Sequence, residues 1–192
     1  MWSWSVVDVE ASEPVTLAEA KAQCRYASTD EDEHFAASIT AAREHLEDVT
    51  GRSLVPVTID LVGPAFPARA CLVFPQPPLR TVTWVKYRDT SGTMQTMSAS
   101  DYVVTAPSVR IPPAGRITLA SGASWPATID EADAVQIRLE VGYTDCPVAL
   151  KKAMLIAIAD WFADREDRAA FPTRARRLWL PYKWRPETEL SR

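Results

Sequence analysis

The sequence predicts an α+β fold with two N-terminal helices, a small proline-rich antiparallel sheet or sandwich, a C-terminal helix and an extended C-terminal arm. Apolar residues recur every three or four positions near both ends of the chain, and every second position between about residues 54 and 143. Hydrophobic residues make up 47% of the 192 residues, which is enough to form a core without metals or crosslinks. We expect a body over residues 1–170 and an arm over residues 171–192.

The first elements are a short strand over residues 4–9 and a helix over about residues 16–27. Thr16 and Glu19 have the spacing of a capping box, in which the hydroxyl accepts a first-turn N–H and the carboxylate accepts the N–H of the cap residue. This pattern predicts that the helix begins at Thr16.

A second helix is predicted over about residues 30–50. Gly51 follows it at the position that favours a left-handed residue, and Arg52 comes next. The core-facing positions are spaced by three and four, at Phe35, Ile39, Ala42, Leu46 and Val49. Its first turn is acidic, which suits the helix dipole, and consists of Asp30, Glu31, Asp32 and Glu33.

The central region alternates apolar and polar residues and predicts short strands. Asp89–Gly92 has the composition of a hairpin turn. Many of the 15 prolines interrupt the region and indicate edges or loops. The predicted strands are Val57–Leu61, Cys71–Phe74, Val82–Tyr87, Thr93–Met97, Tyr102–Val104, Arg116–Leu119 and Val135–Val141.

A third helix is predicted over about residues 147–168, beginning at Pro147, because proline is favoured in a first helical turn. This helix is apolar over most of its circumference until Asp164. Such breadth requires burial on more than one side, by the body or by a neighbouring subunit.

Residues able to catalyse a reaction or hold a cofactor are sparse. The sequence has no glycine-rich phosphate loop and no GxSxG nucleophile turn. His34 and His45 lie about 16 Å apart along one helix, too far to share a metal ion. The cysteines form no CxxC pair, which predicts neither a zinc site nor a disulfide framework. We expect no enzyme, no cofactor and no bound metal.

Charge and hydropathy argue against two further classes of protein. The net charge of −4 does not favour a general nucleic-acid binder. No stretch approaches the ~20 apolar residues that span a bilayer, and the first ten residues lack the features of a signal peptide. We expect a soluble protein, intracellular when it is made, with no membrane partner.

The C-terminal arm concentrates aromatic and basic side chains. From Phe171 to the end its formal charge is +4, which leaves −8 on the rest of the chain. Pro172, Pro181 and Pro186 exclude one continuous helix and favour an extended arm. Aromatic and arginine residues are the usual anchors of interfaces. The candidate docking residues are Arg176, Arg177, Leu178, Trp179, Leu180, Pro181, Tyr182, Lys183, Trp184 and Arg185. The alternatives are an arm folded back on its own body and a surface that stacks on single-stranded nucleic acid.

The ordered motifs resemble the head–tail connector (adaptor) proteins of long-tailed double-stranded-DNA phages, prophages and gene transfer agents. The resemblance covers nearly the full chain, and the order of the motifs carries it. The motifs are PVTLAEAKAQCRY (14–26), ITAAREHLEDVTGRSL (39–54), FPQPPLRTVTWVKYRDTSG (74–92), VQIRLEVGYTDCPVALKKAMLIAIADWFADRE (135–166) and LWLPYKW (178–184). In the last motif Lys183 stands where the family usually has arginine.

The resemblance implies a homo-oligomeric ring, typically of twelve copies, between the portal protein and the tail or stopper proteins. DNA would pass through the lumen without sequence-specific binding. The arm would grip the portal through Trp179, Pro181, Tyr182 and Trp184. The acidic residues 30–33 would form either a channel collar or only a helix cap. Such a protein would be found in the virion neck, and in the bacterial host cytoplasm during assembly.

Two alternatives stay open. Another ring-forming virion protein, such as a stopper or tail terminator, would need no portal-gripping arm. An enzyme would need a cleft of convergent titratable groups, which the sequence does not indicate.

Overall fold

The computed structural model describes residues 2–9, 12–74, 77–106, 114–164 and 171–184. The chain divides into two compact units, which differ from the expected division into a body and an arm. The helical unit comprises residues 12–55 and 143–184, and the β unit comprises residues 2–9 and 56–142. Residues of the expected arm belong to the helical unit because several of them pack against its hydrophobic core.

The described residues of the helical unit form four α-helices. They are α1 (Leu17–Gln23), α2 (Asp32–Thr50), α3 (Val148–Ala163) and α4 (Arg176–Trp179). The predicted capping box is confirmed, since the Thr16 hydroxyl accepts the Glu19 N–H and the Glu19 carboxylate accepts the Thr16 N–H. Gly51 ends α2 with φ +64°, which confirms the predicted left-handed C-terminal residue.

Two predicted helices end earlier than expected. The helix expected to reach residue 27 stops at Gln23, because Arg25 adopts a φ of +53° that cannot continue a right-handed helix. The helix expected to reach residue 168 stops at Ala163, where Asp164 adopts non-helical angles. Residues 165–168 of that prediction lie outside the described residues.

The core of the helical unit forms where α1, α2 and α3 meet. The apolar spacing predicted for α2 is confirmed, because Phe35, Ile39, Ala42 and Leu46 are all buried. On α3, Leu155 and Ile156 are only half-buried, so the predicted burial on more than one side is incomplete. The fully buried residues of α3 form one stripe, spaced by three and four. These residues are Leu150, Ala153, Met154, Ala157 and Ile158. Burial of this apolar surface is the main force that holds the helices together.

In the part of the β unit that the structure describes, eight strands form two antiparallel sheets. The strands are β1 (Ser3–Val9), β2 (Val57–Gly63), β3 (Cys71–Val73), β4 (Leu79–Arg88), β5 (Met94–Thr96), β6 (Tyr102–Thr105), β7 (Arg116–Leu119) and β8 (Val135–Val141). The five-stranded sheet has the order β1-β2-β8-β4-β5, and the three-stranded sheet has the order β3-β7-β6. The predicted strands are confirmed, and the predicted turn at Asp89–Gly92 joins β4 to β5.

Alternate residues of the central strands form the core of the β unit. Ile59, Ile137 and Leu139 are fully buried on one face of the five-stranded sheet. On its other face, Arg138 donates from Nε and Nη2 to the two Asp60 carboxylate oxygens at 2.7 and 2.8 Å. The Arg138 guanidinium also lies 5.1 Å from the ring centroid of Trp84. One face of this sheet is therefore apolar and buried and the other carries polar residues, as the alternation in the sequence predicts.

The segment after residue 171 differs from the expected extended arm. It forms a 3₁₀ turn at Thr173–Ala175, then α4, then a second 3₁₀ turn at Leu180–Tyr182. Its prolines still divide it into separate pieces, as predicted. However, Pro172 precedes the first turn and Pro181 lies in the first positions of the second. At those positions a missing N–H costs nothing, so proline starts a helical turn there.

Candidate docking surface in the C-terminal segment

The turn that ends α2 holds the end of the C-terminal segment, which we define as residues 171–184. The backbone carbonyl of Thr50 accepts the N–H of Trp184 at 2.7 Å. The Arg52 Nε donates to the backbone carbonyl of Tyr182. The Trp184 ring lies against Gly51, where a β-carbon would be 3.5 Å from Cε3. The residues of this turn, Thr50, Gly51 and Arg52, therefore form the contact site for Tyr182 and Trp184.

Tyr182 anchors the segment in the helical core. Its side chain is 2% exposed and belongs to the same hydrophobic cluster as Phe35 and Leu150. The hydroxyl of Tyr143 is also buried. Burial raises the pKa of Tyr143, although the positive charge of Arg52 acts in the opposite direction. Arg52 itself is 4% exposed, and the Tyr182 carbonyl accepts a hydrogen bond from its buried guanidinium.

A carboxylate supports the turn from inside α2. The Glu47 Oε1 accepts the Leu54 N–H at 2.7 Å, and its Oε2 lies 2.7 Å from Arg43 Nη1. Arg43 also donates from Nε to Glu13 Oε2 at 3.0 Å. Burial raises the pKa of Glu47 although these hydrogen bonds oppose the shift. The network fixes the chain on both sides of the turn.

The beginning of the C-terminal segment is attached at a second place. The Phe171 ring stacks on His45 with centroids 4.5 Å apart and an interplanar angle of 7°. It also meets Trp161 edge to face at 6.1 Å. Arg174 forms an ion pair with Asp160 of α3. The segment is therefore held at both ends, and the part between them spans α4 and the second 3₁₀ turn.

The predicted docking residues fall into two groups. Tyr182 is buried, and Leu178, Trp179 and Trp184 are half-buried, so these aromatic and apolar residues hold the segment to its own unit. Arg185 lies outside the described residues. The exposed group forms what we call the docking surface, and it consists of Arg176, Arg177, Leu180, Pro181 and Lys183. It combines three cationic groups with two apolar side chains.

The four residues of the acidic cluster, Asp30 to Glu33, differ in contacts and exposure. The Asp32 Oδ1 pairs with the Lys21 Nζ at 2.6 Å. Asp32 lies in the first turn of α2, where the helix dipole favours a negative charge, but the cap residue of this helix makes no side-chain capping hydrogen bond. Glu31 is the cap residue and is half-buried, while Asp30 and Glu33 are exposed. Within the described ranges, no group of three or more His, Cys, Asp or Glu residues could hold a metal ion.

Comparison with solved structures shows what kind of protein adopts this fold. A chain from the virion of a native gene transfer agent (GTA) particle superposes with a TM-score of 0.73, 21% identity and 94% coverage of both chains. The chain shares its fold with this virion chain. Two neck structures share it, one of an empty GTA particle computed with C6 symmetry and one of a native GTA particle computed with C12 symmetry. Their TM-scores are 0.71 and 0.65, at 19% and 22% identity.

The likeness to the neck fold extends over nearly the whole of each chain. The first neck chain is matched over 94% of this chain and 95% of its own length, and the second over 93% and 94%. No protein-family model and no curated protein matches the sequence. The fold is thus shared with chains of gene transfer agent necks.

The contact site for the C-terminal segment was not predicted from the sequence. Thr50, Gly51 and Arg52 were interpreted only as a helix end. The available signal was the position of Arg52, a charged residue followed by the apolar pair Leu54 and Val55. A buried arginine must find acceptors in the interior, and here one of them is a carbonyl from the end of the chain.

In the part of the chain that the structure describes, no helix has the length and apolar character required to cross a membrane.

Proposed function

We propose that this chain is a structural head–tail connector (adaptor) subunit without enzymatic activity. It would form a ring between the portal and the tail or stopper, with a channel for DNA. The observation that carries this proposal is the match of nearly the whole chain to chains of GTA necks. Because the match includes both units, it supports a role for the entire chain rather than for one module.

In this proposal the docking surface binds the portal protein. The surrounding anchors hold α4 in place before contact, so little conformational entropy is lost when the partner binds. Three cationic groups on an otherwise acidic chain favour an acidic partner surface. Leu180 and Pro181 supply the apolar contact with the portal protein. Tyr182 and Trp184 hold the C-terminal segment in position through their contacts within the helical unit.

The ring is proposed to contain twelve copies through which DNA passes without sequence-specific binding. The C12 and C6 symmetries of the similar necks are compatible with that number. The net charge of −4 favours a lumen that repels phosphate groups, so that DNA slides. If the acidic cluster contributes, Asp30 and Glu33 are the candidates, since both are exposed.

A pull-down on the portal protein encoded in the same gene cluster tests this proposal. The variant Arg176→Ala/Arg177→Ala/Leu180→Ala changes only exposed side chains of the docking surface and should bind at least tenfold more weakly than the wild type. The matched control is Arg69→Ala/Arg80→Ala, which removes two arginines of the β unit, one exposed and one 33% exposed. The control should bind like the wild type.

Equal binding by all three proteins would contradict the assignment of the docking surface. If the wild-type chain does not bind the portal protein but binds tail proteins, the result would instead favour the stopper or tail-terminator function.

A further inference from the structure

The first strand presents an apolar edge. Among the strands that the structure describes, β1 has only β2 beside it. All seven of its residues are exposed. Trp4 and Val6 are 45% and 51% exposed, and Val7 and Val9 are similarly open. Of the seven, only Asp8 carries a charge, so the edge has little of the protection that soluble proteins usually give to edge strands.

The apolar face of the sheet continues onto this edge. Trp4 pairs with Leu61 and Val6 pairs with Ile59, so each pair lies on the same face of the sheet. Leu61 and Ile59 are buried, whereas their β1 partners are about half exposed. The apolar row that is buried in β2 therefore continues onto β1, where its residues are about half exposed.

A second apolar edge belongs to the other sheet. Among the described strands, β6 has only β7 beside it. Val103 of β6 is 56% exposed, and Val104 is also exposed. Four of the described strands lie at the edge of a sheet, namely β1, β5, β3 and β6, and of these β1 and β6 carry exposed valines. Two different, complementary surfaces are what a head-to-tail ring requires of each subunit.

We propose that the β1 edge binds the β6 edge of a second copy of this chain. This inference rests on the proposed ring function and identifies the surface between neighbouring copies. Only another strand offers the backbone donors and acceptors that an edge strand lacks. Since β6 combines such an edge with exposed valines, the chain itself supplies a suitable partner. Pairing would cover apolar residues of both edges.

Sedimentation velocity of the full-length chain, alone and with the portal protein, tests the contact. The variants Trp4→Thr/Val6→Thr and Val103→Thr/Val104→Thr change only exposed or partly exposed strand residues to a residue with high strand propensity. Each variant should self-associate at least tenfold more weakly than the wild type. The matched control, Val148→Thr, alters an 81% exposed valine in α3 and should assemble normally.

Mixing the two variants gives the sharpest result. Each variant keeps one intact edge, so the mixture should form heterodimers that do not grow, while each variant alone stays monomeric. Unchanged assembly of the Trp4→Thr/Val6→Thr variant would overturn the inference, and so would a wild-type chain that stays monomeric in both conditions. Wild-type rings that do not bind the portal would support the edge contact and contradict the proposed portal docking.

Discussion

The Nε of Arg52 donates a hydrogen bond to the backbone carbonyl oxygen of Tyr182, a residue 130 positions further along the chain. This bond joins the turn after α2 to the end of the C-terminal segment, and the Thr50–Trp184 backbone bond reinforces it. The contact explains how a segment rich in proline and exposed charge keeps a defined position. It also separates residues that hold the segment from residues that are free to bind a partner.

Substitution of Arg52 should loosen the C-terminal segment. Arg52→Ala leaves the Tyr182 carbonyl without this donor, and hydrogen bonds to charged groups contribute about 1.5–3 kcal/mol. We expect a loss of that size in the free energy of unfolding by urea. Amide hydrogen exchange should accelerate over residues 173–184 but not over β2 and β8. Unchanged exchange in the segment would contradict the anchoring role of Arg52.

Tyr182 and Leu180 should respond in opposite ways. Tyr182→Ala removes a buried aromatic ring and should destabilise the fold by about 3–5 kcal/mol. Leu180→Ala changes a 45% exposed side chain and should alter the stability by no more than about 0.5 kcal/mol, while weakening portal binding. Thermal unfolding and portal binding, measured on both variants, check this pair. Comparable stability losses would show that Leu180 also belongs to the core.

The two sheets of the β unit approach closely at Gly115. A β-carbon there would lie 2.2 Å from the Leu79 Cβ, which is fixed to the backbone of β4. Gly115→Ala should therefore force the strands apart and cost at least about 1–3 kcal/mol in unfolding free energy. Leu79→Ala/Gly115→Ala serves as the control, because it keeps the conflicting Cβ atom. Recovery of stability in that double variant would mean that only the outer Leu79 atoms caused the clash.

Cys146 should be the least reactive thiol. Burial raises its pKa to about 12, whereas Cys24 and Cys71 are half-buried. Since the thiolate is the reactive form, a thiol reagent at pH 8 should label Cys24 and Cys71 before Cys146, which should react only after denaturation. The label count of Cys146→Ala should fall by one in denaturant and stay unchanged under native conditions. Rapid native labelling of Cys146 would contradict its buried position.

The same shift sets a pH dependence of stability. The pKa of Cys146 lies above its ordinary value of 9.0 in the folded state. Its contribution to stability is therefore complete below about pH 9 and is lost as the pH rises towards 12. Cys146→Ala should remove this part of the alkaline loss, as measured by urea unfolding at pH 8 and pH 10.5.

Features that depend on neighbours in sequence could be predicted from the residues alone. The Thr16 capping box, the left-handed Gly51 and the Asp89–Gly92 hairpin are all set within four positions of the chain. The strands were also predictable, because alternation alone separates the buried face of β2 and β8 from the open one.

Features that depend on distant contacts could not be predicted. The fold-back of the C-terminal segment requires acceptors and apolar contacts supplied by α2 and α3, which no local pattern reveals. The candidate docking residues were found as a group, but the buried position of Tyr182 and the exposed position of Leu180 follow only from packing. Likewise, the pairing of Asp32 with Lys21 was not evident from a run of four carboxylates.

The most direct test of the proposed connector function is electron microscopy of the wild-type chain mixed with the portal protein encoded in the same gene cluster. We predict a ring of this chain on the portal, with a central channel and with the docking surface at the portal face. The Arg176→Ala/Arg177→Ala/Leu180→Ala variant should leave the portal bare. A portal that stays bare with the wild-type chain, or a ring attached through another surface, would contradict this account.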